Sequence, residues 1–464
     1  MKNKYLSLVN DILVFTIALA LAKIIQFLLM PMYTSHMSAD VYGLAELINS
    51  LSEFLYPVVT LCVYEVAFRF SVDIKYDKKI VVNFLIKVLL LSMVIGVIIA
   101  TILQNNYEFI WTFYIILYSY AIRICLAYYT RGCGLTKAFA LNGILNALFL
   151  AIFSYINIVI LKEEASGYLY AIAMANIVSI IYLFKVSGIY KLIDWNYKLK
   201  NTKELIKYAV PLIPYNVLYG ITTLAGRYIL NFYTDNHEVG IYVAAIKISA
   251  IVNMLQTAVY SAFQLNSSQN FYEKNKEDYY INVINIGIAM YCVFGAFVVC
   301  FYDLIGSITL KNEFSEGIVY LPIILFSAII NCISSIVGTM YTTYKKTNRM
   351  IPISVIGAAI NVILGILFVS KLRIWGICIA SCVTYLIQTI YKVIDVRIKF
   401  GLSINIISCI VNLVLLLLVI IVNSLGLNII YRAITMFFLI VYNFIANKKQ
   451  IENMVSKIKF RYNK

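Results

Sequence analysis

Apolar runs of about twenty residues recur along this chain from Asp11 almost to its end, and each is long enough to cross a ~30 Å hydrocarbon core as a helix. A helix spanning lipid must satisfy every backbone donor and acceptor within itself, so a chain built of such runs folds as a bundle of membrane helices. The runs are read as fourteen spans: 11–33, 43–68, 80–103, 109–130, 135–160, 165–184, 208–233, 239–265, 281–308, 317–343, 351–370, 374–394, 404–423 and 427–447. Of 464 residues, 62% are hydrophobic and 13% charged, and the longest polar gap, Lys185 to Lys207, is too short for a soluble core. Lys2 and Lys4 precede a run that continues past Met30 without a small-residue cleavage site, so the first run is expected to stay as a span.

The 38 Lys+Arg residues fall almost entirely in every second gap. With the N-terminus inside, inner segments carry 28 of them, Lys137 and Lys392 at the inner ends of their runs being counted with the adjoining segments, the outer loops carry only Lys162, Lys311, Lys371 and Arg373, and six lie deeper within the runs. One miscounted span would swap all later loops, so this asymmetry predicts both termini on the cytoplasmic side of the membrane. The net charge of +16 is spread over short loops, which argues for anionic lipid headgroups as partners and against nucleic acid. The nine cysteines include no Cys-x-x-Cys pair and there are only two histidines, so no metal, disulfide framework or cofactor is expected.

The motif Tyr33-Thr34, then Tyr42-Gly43-Leu44, returns about 200 residues later as Tyr233-Thr234, then Val239-Gly240-Ile241. Six spans per unit keeps the orientation of both copies, as in parallel repeats related by an axis along the membrane normal, with a substrate site between them. The expected organisation is a six-helix lobe over 1–200, a second over 201–400, and two extra helices with a basic tail over 401–464.

The six bases within the runs are Lys23, Lys87, Arg123, Arg227, Lys247 and Arg432. Lys87 and Arg432 lie near span ends, where their stems can snorkel to the interface. The deeper four cost at least about 2.5–3.5 kcal/mol each if unpaired in lipid, so they should face protein or water. Helical phase places Arg227 on a stripe with Asn216, Tyr219, Thr223 and Asn231, and Arg123 on one with Thr112, Ser119 and Thr130. Lys23 clusters with Thr16 and Gln26, whereas Lys247 points away from the stripe Asn253, Gln256, Tyr260 and Gln264. The acids concentrate on the second span, where Glu46, Ser50, Glu53, Pro57, Thr60 and Tyr64 share a face. Glu53 and Lys23 are expected at similar depth, as an ion pair or as a carboxylate exchanging protons or sodium. Glu65 and Arg69 read as a helix-end pair. Pro57 and the pair Pro211 and Pro214 are expected to bend or loosen their helices. Bases outnumbering free acids favour an anionic ligand, and a guanidinium suits phosphate because its donors match two oxygens at once.

At these residues the chain resembles the Wzx-type polysaccharide flippases of the multidrug and oligosaccharidyl-lipid exporter superfamily. The resemblance lies in Phe27-Leu28-Leu29-Met30-Pro31-Met32-Tyr33-Thr34 with Asp40-Val41-Tyr42-Gly43-Leu44, in Tyr208-Ala209-Val210-Pro211-Leu212-Ile213-Pro214 with Gly226-Arg227-Tyr228-Ile229, and in Val239-Gly240-Ile241-Tyr242 with Lys247-Ile248. It implies two six-helix lobes around a central cavity, and transfer of undecaprenyl-diphosphate-linked oligosaccharide across the cytoplasmic membrane for O-antigen, capsule or exopolysaccharide synthesis. It also implies that Arg227 and Lys247 are cavity bases, and that the polymerase and glycosyltransferases of the same pathway are possible partners. Where the family often has Asp-Arg, this chain has Gly226-Arg227, which puts an ion-pair role for that acid in doubt. The readings weighed against it are a cation-coupled drug exporter, which would show an acidic cavity, and a membrane polymerase, which would need a large outer loop or catalytic domain. Substrate contacts are therefore expected at Arg227, Lys23, Arg123 and Lys247, and ion coupling at Glu53 and Glu46.

Overall fold

A computed structural model describes residues 20–72, 76–197, 202–269, 276–344, 346–425 and 429–462. These residues are helical almost throughout, with no strand among them. Among the described residues, eleven helices are long and apolar enough to cross a membrane, and a bent pair makes twelve. The remaining two runs explain the difference from fourteen. The first is described only from residue 20 onward, so Thr16 lies outside the described residues. The seventh forms a 22-residue helix, but Asn216, Arg227, Asn231 and its tyrosines keep it below that apolarity.

The chain divides into two compact units, Met1–Val243 and Ala244–Lys464. The first unit contains α1 (Met30–His36), α2 (Ala39–Val59), α3 (Val63–Val72), α4 (Lys78–Leu103), α5 (Ile110–Gly132), α6 (Thr136–Ser154), α7 (Ala165–Ser187), α8 (Thr202–Ala209) and α9 (Leu212–Tyr233). The next helix, α10 (Asn236–Ile248), crosses the unit boundary. Ser38 caps α2 by accepting from the Val41 amide at 3.4 Å, and Asp77 caps α4 by accepting from the Lys79 amide at 2.8 Å.

The second span is broken. α2 and α3 meet at 57° across Thr60–Cys62, directly after Pro57. Pro57 lacks the N–H that would continue the ladder, and its own carbonyl accepts from the Cys62 amide at 2.9 Å. The break puts two consecutive non-glycine residues in the left-handed region, Leu61 at φ 48° and Cys62 at φ 54°. That conformation costs about 1–2 kcal/mol per residue. The expected looseness at Pro211 takes a similar form: α8 ends at Ala209, and α9 begins at Leu212 with Pro211 as its cap.

Small residues set the closest helix contacts, as expected where packing rather than hydrophobic transfer drives association in lipid. A Cβ on Gly43 would strike the Asn236 carbonyl and the Gly240 amide, and a Cβ on Gly240 would strike the Ala39 carbonyl. The two glycines of the sequence repeat are thus packed reciprocally, α2 against α10. On the far side, the loop 188–197 is tied to one face of α4. Lys79 pairs with Asp194 at 2.9 Å, Asn83 bridges Leu192 O and the Asp194 amide, and Lys87 donates to Tyr197 O at 2.8 Å. Lys87 therefore ends on a loop carbonyl, in keeping with its expected place near an interface. Lys79 holds the Asp194 carboxyl below its ordinary range, its hydrogen bond outweighing the small cost of desolvation.

The second unit contains α11 (Ala250–Gln269), α12 (Lys276–Cys300), α13 (Tyr302–Thr309), α14 (Leu321–Thr343), α15 (Met350–Leu372), α16 (Ile374–Phe400), α17 (Ile406–Ser424) and α18 (Ile429–Tyr462). α14 is its buried centre. Asn443 donates to Asn412 Oδ1 at 2.6 Å, an interhelical bond that joins α18 to α17. Arg432 is anchored by Asp303 at 3.0 Å, and Arg349 by Asp395 at 3.0 Å.

Candidate functional site

A cluster of buried polar groups in the first unit forms where α2, α7 and α9 meet. Gly43, Glu46 and Ser50 recur at helical spacing, and all three face inward on α2. Glu46 is 1% exposed. The Tyr168 hydroxyl, from α7, donates to its Oε1. Arg227 Nη1, from α9, stands 3.6 Å from its Oε2, with 13% of the arginine side chain exposed. Both carboxylate oxygens are therefore engaged, whereas the guanidinium is underused. Its Nε is buried without a hydrogen-bond partner among the described residues. A fork of five donors held this way is prepared for an anion with several oxygens.

Three tyrosines wall the carboxylate. Tyr33 and Tyr42 stack with centroids 6.1 Å apart, and Tyr168 meets them edge-on at 5.1 and 5.7 Å. Tyr33 hydrogen-bonds Ser154 at 2.9 Å and Tyr42 donates to the Met30 sulfur. One turn further along α2, the Tyr228 hydroxyl meets Ser50 Oγ at 2.8 Å and donates to Leu47 O at 3.0 Å. Asn49 donates to Glu53 at 3.4 Å. A Cβ on Gly220 would come within 2.7 Å of the Phe54 ring, so α9 lies directly on α2.

Arg123 forms a second basic point on α5. Its guanidinium sits 5.1 Å over the Tyr120 ring, and its Nε is also buried without a hydrogen-bond partner among the described residues. Glu53 and Tyr56 are within its electrostatic reach. From Tyr120 a run of rings continues through Tyr56, Tyr64 and Tyr128 with centroids 5.1–5.4 Å apart. Its neighbours Thr112, Ser119 and Thr130 are buried, and Ser119 accepts from Asn176, which in turn accepts from Asn146.

The structure thus joins two residues that the sequence assigned to separate roles. Glu46 was read as ion-coupling and Arg227 as substrate-binding, yet they are partners. The acid absent at Gly226 is supplied by Glu46 from another helix. Arg123 and Glu53 occupy one neighbourhood. Lys23 is half-buried in the helical stretch 20–28, and Lys247 is half-buried near the end of α10, in the second unit. The Tyr219 and Thr223 side chains of the Arg227 stripe are exposed, while those of Tyr260 and Gln264 lie outside the described residues. No ion pair joins Glu65 to Arg69 among the described residues, and the base nearest Glu65 electrostatically is Arg131, on α5.

Sequence reasoning missed two features. Tyr168 carries no signal, being one of 38 tyrosines. Lys392 was counted with the inner-loop bases because it lies only two residues from position 394, where the twelfth span was read to end. α16 instead continues to Phe400, which puts Lys392 two turns inside it. Its ammonium donates to Ser334 Oγ at 2.7 Å and Ser334 O at 3.2 Å, and none of the described acids pairs with it.

The sequence profile of the polysaccharide biosynthesis protein family matches residues 8–265. No curated protein sequence matches the chain. Among solved structures, the fold is similar to the lipid II flippase MurJ in an inward closed conformation, with a TM-score of 0.71 at 15% identity over 96% of this chain and 100% of that one. An outward-facing multidrug resistance MATE family transporter gives 0.61 at 15% identity, covering 84% of this chain and 95% of that one. A transporter of the same superfamily from Pyrococcus furiosus gives 0.57 at 15% identity, covering 83% and 95%, and is described as having a binding pocket of reversed polarity. At this identity the likeness establishes the fold alone. The profile match spans more than half of the chain, which therefore belongs to the polysaccharide biosynthesis protein family, with the membrane fold shared by MurJ and the MATE transporters.

Proposed function

We propose that this protein is a flippase that moves an undecaprenyl-diphosphate-linked oligosaccharide across the cytoplasmic membrane by alternating access. The observation that carries the proposal is the Arg227 guanidinium, held in the first unit by one long contact to Glu46 and retaining a buried, unpartnered Nε. A diphosphate supplies the oxygens that this fork lacks. Its arrival competes with Glu46 for Arg227. The freed carboxylate, still bound by the Tyr168 hydroxyl, then gains affinity for a proton or sodium ion, which would couple the cargo to an ion gradient. Arg123 and Lys23 supply further positive charge in the first unit and Lys247 does so in the second, and Glu53 is a second candidate for coupling. The polyprenyl tail stays in the bilayer while the sugars cross. The family supports polysaccharide as the end product, and the MurJ likeness supports a lipid-linked cargo.

The test is the position of the cargo in cells lacking the gene. Single lipid-linked repeat units should accumulate in the inner leaflet, protected from glycosidases added outside, and return to the outer leaflet when the gene is restored. Accumulation of single units on the outer face would instead indicate a polymerase. Unaltered repeat units with heightened drug sensitivity would indicate an exporter.

A further inference from the structure

Away from the polar site, α2, α4 and α5 leave a groove of about 330 Å³ between them. Its floor is the end of α2 and the break itself, through Val58, Val59 and Leu61. One wall is the second half of α4, including Leu91, Ile95 and Ile99, and the other is the first turns of α5. The groove arises because the chain bends away at Thr60–Cys62 while α4 runs straight past it. Nothing in the mechanism proposed above uses it.

The lining decides what can occupy it. Its polar atoms are few, and each is spent. Ser92 Oγ donates to Leu89 O at 2.9 Å, Tyr114 to Met93 O at 3.2 Å and Tyr118 to Ser92 O. A single water needs about 10–15 Å³ and two to four polar partners, so this space is ample for water yet offers it nothing. The same shortage excludes sugar, phosphate and cations. Left empty, the lining would lose dispersion contacts along its whole length.

The groove is continuous with a surface built for hydrocarbon. The α4 span has a mean hydropathy of 2.7 and only 17% of it is buried. Leu91, Ile95 and Ile99, which line the groove, share that exposed surface with Val94, Ile98 and Ile102. The fluid at the mouth is therefore the acyl region of the bilayer. We propose that the groove between α2, α4 and α5 is a binding site for one acyl chain of a membrane phospholipid, seated against the broken span. An acyl chain wedged at Val58, Val59 and Leu61 holds the bend open, and a straightened span would expel it.

The experiment reconstitutes the full chain in phosphatidylethanolamine–phosphatidylglycerol vesicles containing a phospholipid with a diazirine near its acyl terminus. Irradiation is followed by mass-spectrometric mapping. Labelling at Ile95 and Ile99 should exceed that at Ile177 and Ile181, residues of comparable or greater exposure on α7, by about fivefold or more. Ser92→Phe, which fills the groove, should remove the excess and leave labelling on α7 unchanged. Equal labelling at both places in the wild-type protein would overturn the assignment, whatever the variant does. Displacement of the label by added undecaprenyl diphosphate, but not by excess phospholipid, would also overturn it, because the groove would then serve the cargo tail.

Discussion

The Glu46–Arg227 pair makes the sharpest energetic prediction. At 3.6 Å, two unit charges in a medium of effective dielectric about 20 attract by about 4–5 kcal/mol. Desolvating them consumes much of that gain, but removing one partner strands the other. Arg227→Met takes the guanidinium away from a carboxylate that is 1% exposed, and should cost about 3–5 kcal/mol. Glu46→Gln should cost less, about 1–3 kcal/mol, because an amide oxygen still accepts from Tyr168 and Arg227 retains some access to water. The double variant has no stranded charge, so its loss should fall short of the summed single losses by at least about 1.5 kcal/mol. The assay is reversible unfolding in mixed micelles at rising dodecyl sulfate, followed by circular dichroism. Single losses that add to within about 0.5 kcal/mol would refute the pairing.

Three further predictions concern the framework. Gly240→Ala drives a Cβ into the Ala39 carbonyl, which cannot rotate away, and should destabilise by about 1–3 kcal/mol despite the better helix propensity of alanine. Gly338→Ala, whose Cβ would be 3.6 Å from the Lys392 ammonium, should be tolerated in the same assay. At the broken span, Leu61→Gly should keep the fold, whereas Leu61→Val should cost about 1–2 kcal/mol, because a β-branched residue at φ 48° is strained. Asp194 is held below its ordinary range by Lys79. Its contribution is therefore complete above the unfolded carboxylate pKa and is lost as pH falls through the lower, folded value. Hydrogen exchange over Leu192–Tyr197 should quicken only below about pH 4, and should be fast at neutral pH in Lys79→Ala.

The helical membrane fold was legible because lipid tolerates so few solutions. A twenty-residue apolar run has one common reading. The Gly43 and Gly240 motifs were also legible, although their reciprocal contact was not, since a short match does not say which backbones touch. The bend of the second span was readable from Pro57, but not its 57° angle or the left-handed pair beyond it. The site was half visible. Helical phase put Glu46 and Arg227 on polar stripes of their own helices, yet one-dimensional spacing cannot pair residues 181 positions apart. Tyr168 was hidden by the abundance of tyrosine, and Lys392 by a span end placed six residues early. That α9 packs on α2, which groups the seventh run with the first unit, was hidden for the same reason.

The central claim is that Arg227 holds a lipid-linked diphosphate. The most direct measurement is native mass spectrometry of the gently purified wild-type protein beside Arg227→Ala, both confirmed monodisperse and helical. Undecaprenyl-diphosphate oligosaccharide should be retained by the wild type and fall at least about tenfold in the variant, the loss of one charge-assisted hydrogen-bonding fork. Equal retention by both proteins would contradict the role of Arg227, and bulk phospholipid alone on the wild type would contradict the cargo itself.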